Sequence, residues 1–91
     1  AVQTALRRLV LARNALDRLP DWARGGGLAG LAELDVSRNR LTVLDRLETL
    51  PALGVLGAAH NQVSTLLIRR DVTALHTLDL AHNRLTHVQP L

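Results

Sequence analysis

Two histidines, an Asp–Ser pair, a glycine run and an arginine-rich first quarter are the places where this chain could do chemistry. His60 and His82 stand 22 residues apart, and each immediately precedes an asparagine. Two imidazoles held side by side are half of a tetrahedral zinc site, but no second pair of ligands accompanies them and the chain has no cysteine. No metal is therefore expected. Imidazole ordinarily titrates near neutrality, so such a pair suits a pH-sensitive contact. Asp35 and Ser37, with His60 further along, contain the groups of a nucleophilic triad. Acyl transfer also needs a pocket and an oxyanion hole, and neither is in view, so no catalytic residue is assigned and no enzymatic activity is expected. Gly25–Gly30 reads GGGLAG and matches G-x-G-x-x-G. A dinucleotide site needs a strand before that motif and a helix after it, which the surroundings do not offer. No cofactor is expected, and with no lysine in the chain there is no phosphate-binding P-loop either. Arg7, Arg8, Arg13, Arg18 and Arg24 against Asp17 and Asp21 could contact phosphate. Base stacking would have to rest on one aromatic, Trp22, whose expected place is the outer core, so nucleic acid is a disfavoured partner.

The elements that position these groups follow from the composition. The chain has 91 residues, 47% hydrophobic and 21% charged, and its eleven basic residues are all arginine against eight acids. This is one domain at most, with too much apolar content for a disordered segment. Its core must be built from Leu, Val, Ala and one Ile, since Phe, Tyr and Met are absent. No apolar run reaches the roughly 18 residues of a membrane helix, so no membrane insertion is expected. A net charge of +3 is too small to argue for a polyanionic partner by itself.

Four asparagines fall in one local pattern. The segments Leu6–Leu16, Leu31–Leu41, Leu53–Val63 and Leu75–Leu85 all read L-x-x-L-x-[LVA]-x-x-N-x-[LV], with Asn14, Asn39, Asn61 and Asn83 spaced by 25, 22 and 22. The alternating L-x-L step is a short strand that buries every second residue. Too short to be stable alone, the four copies must stack into a parallel sheet with strands about 4.8 Å apart. The asparagines then form a ladder just past the strand ends. Each amide offers two donors and an acceptor to loop backbone groups that would cost about 1–3 kcal/mol if left unpaired. Leu44, Leu47, Leu50 and Leu53 follow Asn39 at intervals of three, which fits a short helical or 3₁₀ stretch on the outer face. After Asn61 the same places hold Leu66, Arg69, Val72 and Leu75, and Leu66–Ile68 suits an outer strand as well. The first repeat is three residues longer, and Gly25–Gly27 is the expected bulge.

The strand residues between the leucines face away from the core. They line up as Arg8, Glu33, Val55, Thr77; then Val10, Asp35, Gly57, Asp79; then Ala12, Ser37, Ala59, Ala81. Arg13, Arg38, His60 and His82 come just before the asparagines, and Ala15, Arg40, Gln62 and Arg84 just after. The expected partner-binding set is Arg8, Arg13, Glu33, Asp35, Arg38, Arg40, His60, Gln62, Asp79, His82 and Arg84.

This repeat resembles the leucine-rich repeat, over nearly the whole chain. The resemblance implies an α/β solenoid, a horseshoe with a short parallel β-sheet on its concave face and short helical, 3₁₀ or irregular outer segments. Residues 1–91 divide into repeats near 6–30, 31–52, 53–74 and 75–91. The family's implied function is recognition of another protein through the concave face or rims. The phrases Leu34–Thr42 and Leu78–Thr86 look like extracellular innate-immune and receptor repeats, which leans the chain toward secretion. The threefold leucine spacing looks like the short cytosolic class found in phosphatase regulators and dynein light chains. A cytosolic adaptor for a phosphatase, kinase or cytoskeletal partner, or a targeting module of a larger enzyme, is the alternative. Solenoids need polar caps, and neither end reads as one, so continuation into a longer array or self-association is expected.

Overall fold

The computed structural model describes residues 6–19, 30–47, 50–68 and 74–90. Among these residues, seven short strands make two parallel sheets. Strands β1 (Arg8–Val10), β2 (Glu33–Asp35), β4 (Val55–Gly57) and β6 (Thr77–Asp79) form one sheet in the order β1-β2-β4-β6. Strands β3 (Val43–Leu44), β5 (Thr65–Ile68) and β7 (His87–Pro90) form the other, in the order β3-β5-β7. Each repeat supplies one strand to the first sheet, so strands adjacent in space lie one full coil apart in sequence. That arrangement is a solenoid.

Leu9, Leu34, Leu56 and Leu78 stand in register across the first sheet. Their side chains and those two residues on point into a core that, among the described residues, is aliphatic. Leu34, Val36, Leu56 and Ala58 are buried, while Leu9, Leu11, Leu78 and Leu80 pack against them from the end repeats. The parallel hydrogen bonding runs past the strands proper. Leu11 N donates to Asp35 O and Arg13 N to Ser37 O; Val36 N and Arg38 N repeat this on Gly57 O and Ala59 O; Ala58 N and His60 N repeat it on Asp79 O and Ala81 O.

The outer side is partly as expected. Leu44, Leu47, Leu50 and Leu53 are all buried. Leu50 N donates to Leu47 O at 3.0 Å and Leu53 N to Leu50 O at 3.1 Å, the three-residue bonding of 3₁₀ turns. The second sheet is the difference, since only the Leu66–Ile68 stretch carried an outer-strand reading. Its cause is local. Thr42 and Val43, Thr65, and Thr86 stiffen the chain toward extension with β-branched side chains. The asparagine turns then bring these segments into register, Val43 beside Thr65 and Thr65 beside His87. Ser64 N donates to Thr42 O and Thr86 N to Ser64 O, each at 3.0 Å. The expectations for Trp22, Gly25–Gly27, Arg69 and Val72 lie outside the described residues.

Candidate functional site: the sheet face and its turn edge

The asparagine ladder fixes where each surface residue stands. Asn39 Oδ1 accepts from the backbone N–H of Asn14 and of Leu16, both at 2.9 Å. Its Nδ2 donates to Leu11 O at 3.0 Å and to Val36 O at 2.8 Å. One side chain thus ties the turn of the first repeat to the strand end of the second. Asn61 does the same one step on, accepting from Leu41 N–H and donating to Val36 O and Ala58 O. Asn83 accepts from Val63 N–H and donates to Ala58 O and Leu80 O. Asn14 is exposed, and its Nδ2 donates within its own repeat to Ala12 O.

The ladder holds a two-part surface. On the strands, Arg8, Glu33, Val55 and Thr77 are in register, as are Val10, Asp35, Gly57 and Asp79. Arg8 Nε lies 3.5 Å from Glu33 Oε2, with both side chains largely exposed. Such a pair adds about 0–1 kcal/mol, so it orients the two side chains more than it stabilises the fold. Asp35 Oδ1 accepts from Ser37 N–H at 2.9 Å and Asp79 Oδ1 from Ala81 N–H at 3.0 Å. These carboxylates close small turns. For Asp35 and Ser37 that backbone contact replaces the relay a catalytic pair would need.

Gly57 has no side chain to fill the space beside Asp35, and a Cβ there would sit 3.5 Å from Asp35 Oδ1. The result is a depression of about 190 Å³ lined by Arg8, Glu33, Leu34, Asp35, Val55 and Gly57. Sequence reasoning placed Gly57 in its column without seeing the hollow. The only available signal was a glycine among larger residues in that column.

The remaining candidates gather at the turn edge, past the strand ends. Arg13, Arg38, His60 and His82 all have left-handed backbone, with φ of 62°, 56°, 58° and 58°. Here the chain leaves the sheet and swings toward the asparagine. All four are exposed, as are Arg40, Gln62 and Arg84 just beyond the ladder. The two imidazoles stack, with ring centroids 4.2 Å apart and planes 10° from parallel. The equivalence of their positions was legible, but the stacking was not.

His60 is held below the ordinary histidine range. Loss of hydration where the ring packs on its neighbours is the first cause, followed by the Arg38 guanidinium and the His82 ring; Asp79 opposes them. The folded state therefore binds the His60 proton less readily than the unfolded chain. This contribution to stability is fully present above about 6.5, the unfolded value, and is lost progressively as pH falls from there through the lower folded value. In a proton NMR titration His60 should have a midpoint below 6.5, and Arg38→Gln should raise it by removing a neighbouring charge. An unmoved midpoint in Arg38→Gln would remove the guanidinium from the list of causes.

A second polar cluster was not anticipated. Asp45 Oδ2 lies 3.6 Å from Arg18 Nη2, and Asp45 Oδ1 is buried without a hydrogen bond. Among the described residues, no group of three or more His, Cys, Asp or Glu is placed to hold a metal ion. No helix among them is long and apolar enough to cross a membrane.

Stacked coils, one parallel strand per coil and a shared asparagine spine define a leucine-rich-repeat solenoid. The family profile described as Leucine rich repeat matches residues 4–63, and a second, Leucine Rich Repeat, matches residues 74–91. The chain belongs to the leucine-rich-repeat family, whose members are typically binding proteins without enzymatic activity. It is similar to Podocan-like protein 1 of Mus musculus, 40% identical over 92 residues, which is 94% of this chain and 16% of that protein. The chain thus spans about a sixth of the length of this curated relative. No solved structure matches it.

Proposed function

We propose that the chain recognises a protein partner through the four-stranded face and its turn edge, as one stretch of a longer repeat array, and that it does so without catalysis. The observation that carries this reading is the ordered exposure of unlike charges on a rigid sheet. Arg8, Glu33 and Asp35 stand on strands in fixed register around a depression that a partner side chain can enter, and Asp79 stands in register beside Gly57. Rigid, preordered side chains lose little entropy on binding, and opposite charges at fixed spacing select a partner by pattern. The relative's far greater length supports the longer array.

The test is capture of protein partners by the wild-type chain and by charge-reversed variants at Asp35, Asp79, Arg38 and Arg40, singly and together. Circular dichroism would establish that each variant is folded. The combined variant should lose capture by at least about tenfold, the scale of one disrupted charge pair at an interface. Undiminished capture by a folded combined variant would move the binding surface elsewhere.

A further inference from the structure

The turn edge carries more than the sheet-face reading requires. Arg13 N donates to Ser37 O, Arg38 N to Ala59 O and His60 N to Ala81 O, at 3.1, 2.9 and 2.9 Å. These rungs set Arg13, Arg38, His60 and His82 in single file, about one strand spacing of 4.8 Å apart. Each has left-handed backbone, where a non-glycine residue costs about 1–2 kcal/mol. Glycine or asparagine would avoid much of that cost, yet all four places hold an arginine or a histidine. Arg40 and Arg84 stand exposed two residues further along their own turns.

We propose that this file is a docking rail for a carboxylate-bearing segment of the protein partner, and that the stacked imidazoles strengthen its grip on acidification. The inference rests on the protein-recognition reading and names the partner's chemistry. At neutral pH the rail offers the guanidinium charges of Arg13, Arg38, Arg40 and Arg84. On acidification His60 and His82 join them. The charged groups around His60 are Arg38 on the preceding turn, the stacked His82 ring, and Asp79 from β6. Two rings with centroids 4.2 Å apart repel once both are charged. An anion laid along the file relieves that repulsion, so carboxylate binding and protonation favour each other. A protein segment suits the rail better than a nucleic acid does. Asp35 and Asp79 lie two columns away on the strands and penalise a uniform run of phosphates, whereas a mixed peptide can set a basic group opposite them. No aromatic ring other than the imidazoles stands among the described residues to stack on bases.

The probe is a rhodamine-labelled peptide of aspartates interspersed with lysines, whose carboxylates stay ionised well below neutrality, followed by anisotropy. Affinity should rise about fivefold between about pH 7.5 and about pH 5.5, the range in which histidine charges. The double variant His60→Asn/His82→Asn keeps a residue type that tolerates left-handed backbone, and thermal melts at both pH values would verify its fold. It should lose the acid gain, so that its affinity at about pH 5.5 no longer exceeds that at about pH 7.5 by the wild-type margin of about fivefold. Absence of the gain in the wild-type chain, or its persistence in the double variant, overturns the rail. Tighter binding of a ten-nucleotide thymidine strand would also overturn it and make the edge a nucleic-acid site. If the acid gain is absent while Asp35 and Asp79 reversal still abolishes protein capture, the rail fails and the sheet-face reading stands.

Discussion

Asn39→Ala and Asn61→Ala should each destabilise the chain by about 3 kcal/mol, whereas Asn14→Ala should cost less than about 1 kcal/mol. All three occupy the same place in the repeat, so residue type and motif cannot account for the difference. The cause is the number of coils each amide joins. Asn39 and Asn61 are 8% and 7% exposed and bridge to the preceding repeat at both ends of the amide. Truncating Asn39 removes the partner of the Asn14 and Leu16 N–H groups and of the Leu11 carbonyl together, at part-buried places that water reaches only in part. Val36 O keeps a donor, because Asn61 Nδ2 also reaches it at 3.1 Å. Asn14 is exposed and donates to Ala12 O in its own turn, where water can substitute. Asn39→Asp should fail to rescue, since the added oxygen faces the carbonyls of Leu11 and Val36 with no proton to give near neutral pH. Urea unfolding of the four variants would give the ranking, and equal losses at positions 14 and 39 would show that the ladder does not couple neighbouring coils.

How much of this was legible in the sequence depends on which residues carry unique information. The asparagines and the L-x-L steps were, because a buried amide and a period-two aliphatic pair have few other uses at a repeated spacing. They gave the four-stranded sheet, its register and the columns of charge. The 3₁₀ bonding through Leu47, Leu50 and Leu53 was legible for the same reason. The second sheet was not. Val43–Leu44, Thr65–Ile68 and His87–Pro90 share only a weak code, an aliphatic place at Leu44, Leu66 and Val88 two residues after Thr or Ser, and their local lean toward extension becomes a sheet through register imposed from the turns before them. Strand formation of that kind is decided by neighbours more than by propensity. The turn edge fell between these cases. Its column of Arg and His could be read off, but neither type announces a positive φ, so the backbone bend and the stacked rings came only with the structure.

Leu41→Ala should cost about 3–4 kcal/mol and Leu85→Ala about 1 kcal/mol, although both fill the same place two residues after a ladder asparagine. The column reads Leu16, Leu41, Val63, Leu85. Leu41 and Val63 are fully buried, Leu16 is half-buried and Leu85 is 39% exposed. The isopropyl-sized hole that Leu41→Ala leaves is therefore closed on every side. Its neighbours are branched aliphatics, and the chain has no methionine to bend into the gap, so little of the transfer energy is recovered. Leu41 also joins two backbone rungs: its N–H is held by Asn61 Oδ1, and its carbonyl accepts from Gln62 N at 2.9 Å. In a solenoid each coil is stabilised only by its neighbours, so damage at a shared interface is felt by the coils on both sides. Native-state hydrogen exchange should then show Leu41→Ala weakening the rung from Arg40 N to Leu16 O together with that from Gln62 N to Leu41 O. Leu85→Ala should loosen the rung from Arg84 N to Val63 O and leave those two protected. Similar losses from the two substitutions, with exchange confined to residue 41, would mean that the coils are held independently and that the stack is not the source of stability.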